Sequence, residues 1–279
     1  MNMTSYRDAA SFLKSNEDYL IKYEVENSLM LGILCRLRKE GANPSDVFLS
    51  VEDDKEKLVA VMSGLYMILF ATSDNPILYS ELVEYLKFNS IDFPGVIGPK
   101  PICEHFKRAY QKIYNKTLYK HMDQRIYKLT RVNETKTKDV FMRLANKDDC
   151  DILIPWMMDF MVVAGEESSF EKAKNLVDKK VEEKQLYVLI KDNQIVSMTA
   201  KSRPFRKGIT VSCVYTPIEE RKKGYATKLV ELVSLELLKE FDYCTLYTDL
   251  SNPTSNNIYQ KIGYAPIIDS VVYLTKKDD

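Results

Sequence analysis

The sequence predicts an α/β fold of two consecutive domains, each a mostly antiparallel mixed sheet flanked by helices. Three observations carry that expectation. Stretches with apolar residues at helical spacing alternate with short apolar runs of strand length. The order of those stretches in residues 1–132 recurs in residues 133–279. The 279 residues, 45% hydrophobic and 29% charged, are also enough for two ordinary cores with a polar surface.

Residues 5–40 read as helical, with Leu29, Met30, Ile33, Leu34 and Leu37 on one face, and Gly41-Ala42-Asn43-Pro44 ends the helix. Val47 to Val51, Leu58 to Met62 and Leu65 to Thr72 form a three-stranded meander, parted by Glu52-Asp53-Asp54 and Ser63-Gly64. Asn75-Pro76 opens a helix to Leu86, Val96-Ile97 is a short strand, Pro101 to Tyr114 a helix and Leu118 to Leu129 a long strand. The polar stretch Val132 to Lys138 is the expected linker. The second half repeats the order. Val140 to Leu144 is a strand, Asp149 to Phe160 and Phe170 to Glu183 are helices, and Leu186 to Ile190 with Ile195 to Ala200 form a hairpin across Asp192-Asn193. Ile209 to Tyr215 is the central strand, Gly224 to Phe241 a helix, Tyr243 to Asp249 a buried strand, and a short helix leads to the last strand, Pro266 to Leu274.

Forty basic residues balance forty acidic ones, so no overall field draws the chain to nucleic acid or an anionic membrane. Five scattered cysteines with no C-x-x-C pair argue against a disulfide framework and a structural zinc site, and point to a reducing cytoplasm. The N-terminus lacks a signal-peptide apolar core, and the longest apolar runs, such as Leu65 to Ala71, fall far short of a membrane span.

The stretch with most chemistry is Val214-Tyr215-Thr216-Pro217-Ile218-Glu219-Glu220-Arg221-Lys222-Lys223-Gly224-Tyr225-Ala226-Thr227, an apolar strand running through a basic turn into a helix. Unpaired N–H groups at a helix start face outward, Gly224 admits close backbone approach, and the macrodipole favours negative charge. Arg221, Lys222 and Lys223 add positive charge beside it. Without an anion there, basic residues at a helix N-terminus oppose the dipole, so the arrangement reads as a cradle for a pyrophosphate.

Arg221-x-x-Gly224-x-Ala226 after a strand resembles the acyl-CoA signature of the GNAT superfamily of N-acetyltransferases. Downstream, Asn252-Pro253-Thr254-Ser255-Asn256-Asn257-Ile258-Tyr259-Gln260-Lys261-Ile262-Gly263-Tyr264 resembles that family's second signature. The resemblance covers residues 139–275 and implies tandem GNAT-like domains. The first is a degenerate copy: Ser73-Asp74-Asn75-Pro76 stands where the cradle belongs, with no glycine or basic residue, so that domain is expected to hold no cofactor. In the second, the resemblance implies a splayed strand pair that holds acetyl-CoA. Val214, Tyr215 and Thr216 would meet its pantetheine arm through main-chain atoms. Arg221 to Thr227 would take the diphosphate, and Asn252, Ser255, Asn256 and Asn257 would lie along its path.

Tyr259 is the expected general acid, because a neutral phenol already carries the proton that a departing thiolate needs; the rival reading is a packing tyrosine. Glu166 and Glu167, in the turn between the first two helices, are the candidate bases, against a plain helix-capping turn. Cys213 and Ser212 have no histidine partner, since His105 and His121 both belong to the first half, so an acyl-enzyme is disfavoured. Trp156, Met157, Met158 and Met161 line either an acceptor pocket or the core.

The expected activity is direct transfer of an acetyl group to a primary amine of a small molecule or peptide. Two rivals remain: a non-catalytic acyl-CoA sensor or protein-interaction module, and an aminoacyl-tRNA-dependent transferase of the same fold, which neutral charge disfavours. Three roles are open to the first domain: capping the acceptor site, mediating a homodimer, or burying apolar surface of the second.

Overall fold

The computed structural model describes residues 1–276 apart from Lys136 and Lys138, so those two positions of the expected linker lie outside the described residues. The first half runs β1 (Asn2–Ser5), α1 (Ala9–Ile21), α2 (Ser28–Glu40), β2 (Val47–Glu52), β3 (Lys57–Met62), β4 (Met67–Ala71), α3 (Pro76–Phe88), β5 (Gly95–Pro99), α4 (Lys100–Tyr114) and β6 (Tyr119–Leu129). The second half has the same order: β7 (Phe141–Leu144), α5 (Cys150–Val163), α6 (Phe170–Glu182), β8 (Leu186–Lys191), β9 (Gln194–Ser202), β10 (Gly208–Tyr215), α7 (Tyr225–Leu237), β11 (Tyr243–Asp249), α8 (Pro253–Ile262) and β12 (Ala265–Leu274).

A strand not foreseen in the sequence precedes the stretch expected to be helical, and that stretch itself needs correction. Residues 2–5 form a strand, paired antiparallel with Leu49 to Glu52. The stretch read as one helical region is two helices with a turn between. There the buried Asn27 side chain donates to the carbonyls of Leu20 at 3.2 Å and Tyr23 at 3.0 Å, giving the turn an internal partner for backbone that the helix leaves unsatisfied.

The chain forms two compact units, Met1–Ile126 with Ile267–Asp279, and Tyr127–Pro266. The division thus comes a few residues before the expected cut at 132, and most of β12 goes with the first unit. The cause is strand pairing: Ser270 to Leu274 lie antiparallel to Pro99 to Gly95. Val271 and Tyr273 then join Leu49, Leu69 and Phe106 in one core. Within this unit β1 to β5 pair in sequence, with β12 beyond β5, and only β4 and β5 run parallel.

In the second unit the strands lie in the order β11-β10-β9-β8-β7, with only β10 and β11 parallel. Apolar clusters cover both faces. One joins Ile209, Val211 and Leu246 to Leu229 and Val233 of α7 and Ile262 of α8. The other joins Val188 and Met198 to Leu153 and Met157 of α5 and Val177 of α6. Each such side chain contributes about 1.5–3 kcal/mol when fully buried, so the sheet is held rigid from both sides. All five cysteines are unbridged, and no described helix is long and apolar enough to cross a membrane.

Candidate functional site

The central strand β10 is bulged and then parts from its parallel neighbour. Gly208, Ile209 and Thr210 pair with Tyr243, Cys244 and Thr245 of β11, and the pairing stops there. On the other edge the register with β9 shifts between Ser212 and Tyr215, where Cys213 takes a left-handed φ of 52°. The extra residue changes which face the side chains meet. Ile209 and Val211 pack towards α7 and α8, whereas Cys213 and Tyr215, two and four residues on, pack towards α5 and α6. A left-handed non-glycine residue costs about 1–3 kcal/mol, so the surrounding core must hold this bulge in place.

Among the described residues, the edge of β10 facing β11 thus carries backbone from Val211 onward with no strand partner. Three carbonyls nearby already accept a donor: Ser212 from Thr199 Oγ1, Tyr215 from Ser197 Oγ and Thr216 from Arg221 Nε, each at 3.0 Å. Of the three positions expected to offer main-chain groups, Val214 is left with its carbonyl unclaimed by these donors. The hydroxyls on β9 were not singled out in the sequence, because serine and threonine on a hairpin strand carry no distinguishing spacing.

The turn after β10 continues through a 3₁₀ segment, Ile218–Glu220, to Lys222 at φ 64° and Gly224 at φ 84°. Left-handed residues alternating with others point successive amides into one concavity, a nest for an anion. Helix α7 begins at Tyr225 with no side-chain cap, and Lys228 is the first residue whose N–H reaches back, to Gly224 O at 3.0 Å. The amides of Tyr225, Ala226 and Thr227 therefore have no carbonyl one turn behind them. A Cβ on Gly224 would lie 2.8 Å from Thr137 Oγ1. The three basic residues divide in role. Lys223 is paired with Glu220 at 2.9 Å, and the Arg221 guanidinium lies 5.8 Å from the Tyr215 ring centroid. Lys222 is exposed and enters no ion pair among the described residues. This turn fits a diphosphate by the chemistry of its donors.

The corresponding turn of the first unit uses its donors internally. Asn75 caps Ile77 N at 3.1 Å, Pro76 has no N–H, and the Glu56 carboxylate accepts from Ser73 Oγ at 2.6 Å and Asn75 Nδ2 at 2.7 Å. Pairing of its parallel strands ends at Ile68 and Ile97, and a Cβ on Gly98 would stand 2.4 Å from Leu69 O.

Tyr259 lies on α8, 7% exposed, against Tyr127 and Tyr264. Burial pushes its phenol far above the ordinary tyrosine range, and among the described residues no hydrogen-bond partner meets its hydroxyl. Asn252 caps α8, its Oδ1 accepting from Ser255 N at 3.1 Å. Asn256 is tied down, donating to Asp249 O and Asn252 O and accepting from Tyr127 Oη. Ser255 is half-buried and Asn257 exposed.

The two glutamates differ sharply. Glu167 is fully exposed and paired with Lys172, which holds its carboxyl below the usual range. Glu166 keeps solvent contact, yet crowding by the protein raises its carboxyl and outweighs the opposing pull of Arg203. Trp156 and Met158 are half-buried, with Trp156 5.9 Å from the Tyr215 ring, while Met157 and Met161 belong to the core. Tyr215 donates to Asp159 at 2.7 Å, and burial, then that carboxylate, push its phenol up to about 12. The Cys213 thiol is raised by burial, which suits a packed thiol better than a nucleophile.

Residues 197–273 match a family model described as FR47-like protein. An acetyltransferase of the GNAT family from Colwellia psychrerythraea superposes with a TM-score of 0.62 at 9% identity, covering 99% of this chain and 100% of its own. A tandem GNAT protein from the clavulanic acid biosynthesis pathway, solved without AcCoA, gives 0.58 at 11% identity over 100% of this chain and 99% of its own. The chain has the tandem GNAT fold. A GCN5-related N-acetyltransferase from Sphaerobacter thermophilus gives 0.57 at 12% identity, covering 86% of this chain and 83% of its own. A comparison with curated proteins finds no match. The FR47-like match runs from β9 to β12 and so takes in the bulge, the nest and Tyr259 of the GNAT fold.

Proposed function

We propose that this protein is an N-acetyltransferase that moves an acetyl group from acetyl-CoA to a primary amine of a small molecule or peptide, both substrates being bound together. The observation that carries the reading is the coincidence of two openings: strand pairing ends at Thr210 and Thr245, and the same strand leads into the uncapped start of α7 at Gly224. The second unit's residues divide the work of holding the cofactor. Main-chain groups around Val214 would take the amide-rich arm, and Arg221, Lys222, Gly224 and the amides through Thr227 the diphosphate. Ser255 and Asn257 at the start of α8 offer polar contacts further along. Bound acetyl-CoA supplies an acetyl group already activated as a thioester.

Tyr259 holds a proton on Oη in a site where burial keeps the phenol neutral, ready for donation to a departing thiolate. Glu166 is the better-suited base of the two glutamates, because its raised carboxyl is closer to the affinity for protons that taking one from an ammonium requires. The first unit, with Glu56 at the equivalent turn, is proposed to hold no acyl-CoA.

Thermal melting with acetyl-CoA and then thiol release on mixing with amines tests this reading. Acetyl-CoA at a hundred times its dissociation constant is expected to stabilise the native state by about 2.7 kcal/mol, seen as a rise in Tm. Thiol release should follow for an accepted amine. No stabilisation would remove the cofactor assignment, and stabilisation without acetyl transfer to any amine would favour a sensor.

A further inference from the structure

The guanidinium beside the nest is held by a chain of contacts that begins on α5. Asp159, exposed and in no ion pair among the described residues, accepts from Tyr215 Oη at 2.7 Å. The Tyr215 ring, at the end of β10 and only 8% exposed, lies 5.9 Å from Trp156 of the same helix and 5.8 Å from the Arg221 guanidinium. Arg221 Nε donates to Thr216 O at 3.0 Å. That acceptor is itself fixed, because the buried Ser197 Oγ donates to Tyr215 O at 3.0 Å and lies 2.9 Å from Thr216 Oγ1. The neighbouring carboxylate does not compete for the guanidinium: Glu220 is paired with Lys223 at 2.9 Å, and Arg221 enters no ion pair among the described residues.

An exposed arginine turns about several side-chain bonds and gives up much of that freedom when it grips an anion. Contacts that restrict it beforehand move that cost from binding to folding. Two restraints act on Arg221. Cation–π attraction holds the guanidinium against the ring, and Thr216 O takes Nε. The Thr216 bond leaves the two Nη groups for other acceptors, and a guanidinium presents these in a planar fork suited to phosphate oxygens. The first restraint depends on the ring staying where it is. Trp156 packs on that ring, and the hydrogen bond to Asp159 holds its far end.

Resting on the acetyltransferase reading, we infer that Asp159 is a positioning residue for acetyl-CoA, one that acts through the Tyr215 ring to keep Arg221 in the orientation that meets the diphosphate. Asp159 touches neither the cofactor nor the reacting atoms in this account. Its effect therefore exists only while Arg221 is present, which a purely structural carboxylate would not require.

Titration calorimetry with acetyl-CoA on the full chain tests this as a double-mutant cycle. Arg221→Ala is expected to raise the dissociation constant at least tenfold. Asp159→Ala should raise it about fivefold, the size of one modest contact, and Tyr215→Phe by a similar factor. The phenylalanine variant guards against a defect from a phenol left without its acceptor, since it removes the hydroxyl as well. Combining Asp159→Ala with Tyr215→Phe should cost no more than either alone, and adding Asp159→Ala to Arg221→Ala should change affinity less than about 1.5-fold. Asp159→Asn, which keeps an oxygen to accept from the phenol, should bind within about twofold of the unaltered protein. Unchanged affinity in Asp159→Ala, a fivefold loss that persists without Arg221, or an asparagine variant as weak as the alanine one would each overturn the assignment. Failure of the unaltered protein to bind acetyl-CoA would instead defeat the parent reading, and the role of Asp159 with it.

Discussion

Replacing Gly224 by valine is expected to weaken acetyl-CoA binding about a hundredfold, the loss of one or two charge-assisted hydrogen bonds at about 1.5–3 kcal/mol each. Two consequences of a β-branched side chain act together. The φ of 84° at Gly224 is one that valine resists, so the turn relaxes and the amides of the nest no longer converge. The new Cβ would also start 2.8 Å from Thr137 Oγ1, a side-chain atom that can give way, so the fold should survive with a loss of only about 1–2 kcal/mol. Titration calorimetry with acetyl-CoA and urea unfolding, run on the same variant, separate the two effects. Undiminished affinity would mean that the diphosphate does not lie on this turn.

Tyr259→Phe is expected to lower kcat about a hundredfold or more while leaving the dissociation constant of acetyl-CoA within twofold. The phenyl ring keeps its packing on Tyr127 and Tyr264. The hydroxyl has no partner to lose among the described residues, so stability should be unchanged or higher by up to about 1 kcal/mol. That combination, a slower and equally stable enzyme, distinguishes an acid from a packing residue. Burial raises this phenol, so it stays protonated well above neutral pH and should add no alkaline limb to the rate profile of the unaltered protein below pH 10. An unchanged kcat in the variant would remove Tyr259 from the chemistry.

Much of this site was legible because its signals are local. The strand before Pro217, the basic turn with Gly224 and the Asn252 cap each depend on neighbours within a few residues, where sequence spacing and geometry are the same information. The cut between α1 and α2 was not legible, since Lys22 to Asn27 contains neither glycine nor proline and Asn27 does the work through its side chain. The bulge at Cys213 was hidden for a similar reason: Val-Ser-Cys-Val-Tyr looks like any buried strand, and what forces a left-handed residue there is packing on two faces. The return of β12 to the first unit depends on Gly95 to Pro99, more than 150 residues earlier in the chain, beyond the reach of any periodicity.

The most direct measurement is a crystal structure of the chain grown with acetyl-CoA or CoA. It should show diphosphate oxygens within hydrogen-bonding distance of the main-chain amides between Lys222 and Thr227, and the pantetheine arm in the gap between β10 and β11 beyond Thr210. Ordered cofactor lying against Ser73 to Pro76 instead, or the Gly224 turn unchanged with its amides directed into the protein, would contradict it.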